Sequence, residues 1–143
     1  MTAQEQLKLD PMVSYFYYRS KNSIYRTEWP YVPETNGAPV ICDMSSDILS
    51  RPVDVSKYGI IFAGAQKNMA PAGLTVVSIR KELAGHALPY TPLMMNYQTM
   101  IDKDFTYTTQ PYACHYTLAP VRACTPAHDK HHTCDALTAG HRT

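Results

Sequence analysis

The chain has almost no surplus of either charge. Its 143 residues contain 13 lysines and arginines against 12 aspartates and glutamates, a net charge of +1. Nucleic-acid-binding proteins attract phosphates with a positive surface, so this balance provides no electrostatic case for such a partner. No apolar run is long enough for a membrane helix. Residues 1–10 lack a basic n-region and an apolar h-region, so we expect no signal peptide and a cytoplasmic chain.

Internal repeats are also absent, and the apolar residues instead fall in short groups that are typical of strands. Four groups predict strands: residues 13–18, 39–42, 59–63 and 74–79. We predict a loop at residues 27–38, because prolines and a glycine in this segment disfavour a helix or a strand. Residues 80–86 predict a short helix. The secondary structure of residues 92–102 remains ambiguous. Four side chains there are spaced to share one face of a helix and would pack in the core: Leu93, Met94, Tyr97 and Met100.

The strand predicted at residues 59–63 runs into a turn of small residues that holds one lysine, Lys67. Gly64 and its alanine neighbours add little bulk, so backbone can approach a ligand closely there. A lysine at the end of a buried strand can lose its hydration, which favours the neutral, nucleophilic amine. Pyridoxal phosphate (PLP) is the aldehyde cofactor that binds a protein lysine. The same pattern also fits a surface lysine after a core strand.

An aspartate, Asp43, ends the strand predicted at residues 39–42. PLP enzymes place a carboxylate against the pyridine nitrogen, because a protonated ring accepts electrons from the substrate carbanion. Ligands of open α/β sheets collect beyond the carboxyl ends of strands, where we expect both Asp43 and Lys67. Alternatively, Asp43 is the N-cap of a turn at residues 44–49.

This part of the chain resembles the phosphoserine aminotransferases, which are PLP enzymes of serine biosynthesis. The resemblance is carried by Cys-Asp-Met-Ser-Ser-Asp-Ile-Leu-Ser-Arg-Pro-Val-Asp at residues 42–54, Gly-Ala-Gln-Lys-Asn at 64–68 and Pro-Ala-Gly-Leu-Thr-Val-Val at 71–77. It extends from about residue 7 to residue 109. It implies an α/β fold, part of the large PLP-binding domain of a fold-type I aminotransferase, mostly strands and loops here and incomplete.

The resemblance also implies roles for single residues. Lys67 matches the catalytic lysine that binds PLP covalently, and Asp43 matches the partner of the pyridine nitrogen. Gln66 matches a ligand of the cofactor phosphate. Ser23 falls where the family has a cofactor-binding threonine, and it keeps the hydroxyl.

Two further cofactor ligands, Thr108 and Thr109, fall where the family usually has Asn-Thr. That pair reaches the phosphate of the neighbouring subunit's cofactor in the homodimer. The sequence departs from the family at Thr108 and again at Gln110, which replaces a proline. The implied reaction is amino transfer between glutamate and 3-phosphohydroxypyruvate.

The family's protomer is much longer, so we expect a truncated chain that is inactive alone. Alternatively, it is a non-catalytic fragment that pairs with or modulates a full-length homologue.

The composition changes after about residue 104. Residues 105–143 hold five of the six histidines, three of the four cysteines and eight threonines. We therefore divide the chain into a partial PLP-binding catalytic domain at residues 1–104 and a divergent, irregular tail at residues 105–143, in which Pro120 and Pro126 would break a helix.

Three interpretations of this tail remain open. It is a loosely packed extension, an unrelated reading frame, or a metal site. The cysteines recur every ten residues, which is not a zinc spacing, and we expect no metal. The candidate ligands are Cys114, His115, Cys124, His128, His131, His132 and Cys134. Cys42, by contrast, falls in a strand pattern and is expected in the core.

Overall fold

The computed structural model describes residues 4–103, 107, 112–123 and 132–137. These residues form seven strands and two α-helices, with short 3-10 turns between them. The strands are β1 (Phe16–Arg19), β2 (Lys21–Asn22), β3 (Thr27–Glu28), β4 (Val40–Asp43), β5 (Ile60–Gly64), β6 (Thr75–Arg80) and β7 (His132–Leu137). The helices are α1 (Tyr97–Asp102) and α2 (Tyr112–Ala123).

Five of the strands form one mixed sheet in the order β1-β4-β5-β6-β7. Strands β1, β4 and β5 are parallel, whereas β6 is antiparallel to β5 and β7 is antiparallel to β6. Strands β2 and β3 form a separate antiparallel pair directly after β1. Because β1, β4 and β5 are parallel, their carboxyl ends meet at one edge of the sheet, which we call the carboxyl edge.

Burial alternates along β4 and β5, so these two strands bury one face more deeply than the other. Cys42 and Ala63 are buried on that face, and the loops around residues 29–32 and 44–58 pack against it. The side chains between them, including Ile41 and Phe62, are only half-buried.

The strands predicted at residues 39–42, 59–63 and 74–79 are confirmed, each shifted by about one residue. Their β-branched and aromatic residues fit a pleated, half-buried surface. The helix predicted at residues 80–86 is a single 3-10 turn, Lys81–Leu83. Gly85 follows it with a φ of +82°, a left-handed conformation that favours glycine and stops the turn.

The ambiguous segment at residues 92–102 contains a 3-10 turn, Leu93–Met95, followed by α1. Met100 is buried as the apolar stripe predicts, but Leu93 and Met94 are exposed. The expected core packing of these two side chains is therefore wrong, because a 3-10 turn and Asn96 separate them from the helical face.

The described parts of the tail are regular. Helix α2 runs through Pro120, and β7 pairs with the whole length of β6. This differs from the irregular tail that the composition predicts, and the prediction that Pro120 breaks the helix is wrong. A proline removes one helical hydrogen bond. Buried contacts of Cys114 and Leu118 with Ala65 and Leu74 offset that loss. The domain boundary near residue 104 stays a prediction.

Within the described ranges, no helix is both long and apolar enough to cross a membrane.

Candidate active site

The carboxyl edge places Asp43 at the end of β4, with its side chain 14% exposed. Its Oδ1 atom accepts hydrogen bonds from Ser45 N at 2.9 Å and from Ser45 Oγ at 2.6 Å. Its Oδ2 atom lies 3.5 Å from Arg19 Nε, on the neighbouring strand β1. Asp43 therefore does cap the turn that follows it, as the local sequence allows, but it does so with one oxygen, while the other faces a cation.

Lys67 lies in the turn directly after β5, one strand away from Asp43. Met69 N and Ala70 N both donate to Ala65 O at 3.0 Å and close this turn. The prediction that the Lys67 side chain loses its hydration at a buried strand end is wrong, because the turn places that side chain in an exposed position. Lys67 Nζ donates a hydrogen bond to Ser46 Oγ at 2.9 Å.

The same serine binds a second predicted site residue. Ser23 Oγ donates to Ser46 Oγ at 2.8 Å, so Ser23 and Lys67 converge on one hydroxyl. Both are exposed, and they come from different strand ends, the β2–β3 loop and the turn after β5.

Gln66 folds back over Gly64. A Cβ built on Gly64 would lie 2.7 Å from Gln66 Oε1, closer than real atoms approach. The missing side chain at Gly64 therefore makes room for the Gln66 amide, which is exposed beside Lys67.

A buried polar group supports the turn that follows Asp43. Asp47 is 3% exposed, and its Oδ1 accepts a hydrogen bond from Ser20 Oγ. Arg51 Nη2 lies 3.6 Å from Asp47 Oδ2, and Arg51 Nη1 lies 3.0 Å from Glu28 Oε1. Because a buried carboxylate needs a partner, these contacts tie the turn to β1 and to the β2–β3 pair.

Three protonated groups lie beneath this site. Tyr18 and Tyr58 share a hydrogen bond of 3.3 Å between their hydroxyls, and Cys42 lies fully buried beside Tyr18. Burial raises the pKa of the Cys42 thiol from 9.0 to about 11. Burial also raises the pKa of both tyrosines. These three side chains are therefore neutral at neutral pH, and the prediction that Cys42 is a core residue is confirmed.

Thr108 and Thr109 lie outside the described residues, so their predicted contact with a neighbouring subunit stays a prediction. The structure instead adds two residues that sequence reasoning missed, Ser45 and Ser46. The available signal was the spacing Asp43-x-Ser45, since an aspartate commonly caps the residue two positions on.

In the part of the chain that the structure describes, no group of three His, Cys, Asp or Glu residues could hold a metal ion. Cys114 Sγ donates to Ala72 O at 3.1 Å, which is a packing contact. Cys124, His128 and His131 lie outside the described residues.

Comparison with known proteins identifies the family. Residues 29–123 match the model of the family described as aminotransferase class-V. The phosphoserine aminotransferase of Laribacter hongkongensis is 50% identical over 108 residues, which cover 76% of this chain and 30% of that protein. The protein of the same name from Chromobacterium violaceum is 52% identical over 101 residues, 70% of this chain and 28% of that protein.

The fold agrees with this match. The crystal structure of PLP-bound phosphoserine aminotransferase from Trichomonas vaginalis superposes with a TM-score of 0.76 at 36% identity, covering 85% of this chain and 36% of that one. This chain therefore has part of the fold of a PLP aminotransferase. It spans about 30% of the length of the curated relatives that it matches. Since the family model covers residues 29–123, which include Asp43 and Lys67, the chain belongs to the class-V aminotransferases.

Proposed function

We propose that this chain carries the PLP-binding edge of a phosphoserine aminotransferase. The observation that carries the proposal is the position of Asp43 and Lys67 beyond the ends of two adjacent parallel strands, β4 and β5. Ligands of open sheets bind at such an edge. The relatives that match this segment at 50% and 52% identity are named phosphoserine aminotransferases.

The residues at the carboxyl edge fit PLP by their chemistry. Lys67 offers an exposed primary amine to an aldehyde. Asp43 offers a carboxylate whose Oδ1 is held by Ser45, which leaves Oδ2, now 3.5 Å from Arg19 Nε, as the oxygen that would face a ring nitrogen. Gln66 and Ser23 add an amide and a hydroxyl, groups that bind phosphate and ring oxygens.

PLP, when bound, withdraws electrons from the substrate Cα and stores the amino group between the two half-reactions. Lys67 Nζ would hold the cofactor covalently and, after glutamate displaces it, move a proton to and from the reacting carbon. The Ser46 hydroxyl, 2.9 Å from that amine, would hold it within reach of the carbon. Asp43 would keep a proton on the ring nitrogen through its negative charge.

The substrates of the proposed reaction are glutamate and 3-phosphohydroxypyruvate, and the proposed assembly is a homodimer in the cytoplasm. We further propose that Thr108 and Thr109 contact the cofactor of the second subunit. Cofactor capture tests this proposal more directly than turnover does, because the chain spans about 30% of its relatives' length.

The test is covalent capture of PLP on the purified chain. Incubation with PLP, reduction with borohydride and peptide mapping should place the label on Lys67 rather than spread it over the other lysines. A Lys67→Ala variant should lose this label and the visible absorption that accompanies it. Lys57→Ala, which removes an exposed lysine in the 3-10 turn Val55–Lys57, is the control and should keep both. Equal labelling of all lysines would contradict the proposal.

A further inference from the structure

Ser45 occupies the point where the ladder between β4 and β5 ends. Met44 N donates to Phe62 O at 2.8 Å, as a parallel ladder requires. The next bond of that ladder would join Gly64 N to Met44 O. The chain turns here, however, and Met44 O accepts instead from Asp47 N at 3.1 Å and from Ile48 N at 2.8 Å.

The Ser45 side chain replaces the lost acceptor. Gly64 N donates to Ser45 Oγ at 2.9 Å, and the same hydroxyl donates to Asp43 Oδ1 at 2.6 Å. Ser45 N donates to that carboxylate oxygen as well, at 2.9 Å. A continuous chain of hydrogen bonds therefore runs from the start of the lysine turn to the carboxylate, and each bond polarises the next.

We propose that Ser45 is a positioning residue that fixes the Asp43 carboxylate and the turn of Lys67 relative to each other. Through this Asp43–Ser45–Gly64 link, Oδ1 is held by two donors, while Oδ2 lies 3.5 Å from Arg19 Nε. The link also sets where Gly64 begins the turn over which Gln66 folds and from which Lys67 extends. That this geometry serves a cofactor rests on the proposed function, but the link itself does not.

The chain contains a matched control. Asp54 Oδ1 accepts from Ser56 N at 3.2 Å and from Ser56 Oγ at 2.6 Å, the same local pair of bonds that Asp43 makes with Ser45. Ser56 lies in an exposed 3-10 turn away from the carboxyl edge. Within the described residues its hydroxyl bonds to Asp54 and to no strand amide. Ser56→Ala therefore removes the local bond from the hydroxyl to the carboxylate without touching the proposed link.

The first readout needs no cofactor. Amide hydrogen exchange followed by NMR should show the Gly64 amide exchanging about tenfold faster in Ser45→Ala, the effect of losing one hydrogen bond. The carboxyl-carbon resonance of Asp43 should shift in the same variant. Ser45→Thr keeps the hydroxyl and should restore both, and Ser56→Ala should change neither. Ser45→Cys, which keeps the size but bonds weakly, replaces Ser45→Ala if that variant does not fold.

The second readout is capture of PLP at Lys67 by the same variants. Ser45→Ala should need about tenfold more PLP for equal capture, and Ser45→Thr should match the wild type. Unchanged Gly64 exchange in Ser45→Ala and Ser45→Cys overturns the link. Faster exchange with unchanged capture overturns the positioning role. If the wild type captures no PLP at Lys67, the proposed function fails, and the two NMR readouts alone decide whether Ser45 holds the strand ends together.

Discussion

Cys42 lies at the middle of the buried face of the sheet, directly before Asp43 in the chain. Its neighbours Tyr18 and Tyr58 also have a raised pKa because of burial. All three groups are neutral when protonated, so the folded state favours the protonated forms more strongly than the unfolded state does. The stability that these three buried groups give to the fold therefore depends on pH in the alkaline range.

We predict that stability falls as the pH rises above about 9. The thiol of Cys42 keeps its proton up to about pH 11 in the folded chain but loses it from about pH 9 in the unfolded chain. Its contribution to stability is therefore complete below pH 9 and is lost through pH 11, at a cost of roughly 3 kcal/mol. Urea unfolding between pH 7 and 11 measures this loss.

Cys42→Ala separates the thiol from the tyrosines. The variant should be less stable at neutral pH because it leaves a cavity, but its stability should fall less steeply above pH 9. Equal slopes for the two proteins would show that the thiol does not titrate in this window.

Helix α2 is the element that the sequence predicted least well. Pro120 within it predicts a broken helix, yet Leu118 is 2% exposed and packs with Leu74 and Ala65 beside the lysine turn. The hydroxyl of Thr117 also donates to Ala113 O at 3.0 Å, a local bond within the helix. Tertiary burial, rather than helix propensity, therefore holds this element in place.

We predict that Leu118→Ala lowers the free energy of unfolding by about 2–5 kcal/mol, the range for removing a buried leucine. Tyr116→Ala, at a position that is 79% exposed on the same helix, should change it by less than about 0.5 kcal/mol. Chemical unfolding of both variants measures the difference. Equal small effects would mean that α2 does not pack on the sheet in solution.

At the scale of the whole molecule, two apolar surfaces remain uncovered by the residues that the structure describes. The first is the half-buried sheet face, where the rings of Tyr17 and Phe62 stack at 6.3 Å. The second is the exposed stretch at residues 88–95, in which Leu93 is 61% and Met95 is 74% exposed. Contiguous exposed apolar patches commonly mark interaction surfaces.

We therefore predict that the chain self-associates or binds a homologous chain, which is also what the alternative of a non-catalytic pairing fragment requires. Light scattering should report a mass above that of one chain. The double variant Leu93→Lys and Met95→Lys should lower that mass, because it places two charges on the patch. Tyr116→Lys, at an equally exposed apolar position elsewhere, is the control. A monodisperse wild-type monomer would contradict the prediction.

The sequence by itself determined three of the short strands and the positions of Asp43 and Lys67 at or just after strand ends. Apolar β-branched groups at residues 39–42, 59–63 and 74–79 specify strands because burial of such residues overrides other preferences. Asp43 then lies at the end of one such strand and Lys67 just after another. The stretches at residues 42–54, 64–68 and 71–77 carry the family resemblance.

Only the tertiary structure decided what surrounds these residues. It brought Ser45 to the amide of Gly64, 19 positions along the chain, and Ser46 to the amine of Lys67, 21 positions along. It also left Lys67 exposed. Helix α2 continues through Pro120 because its buried residues pack against Ala65 and Leu74. These features depend on which strands pair and where the chain turns, and periodicity along a sequence carries no information about contacts between distant segments.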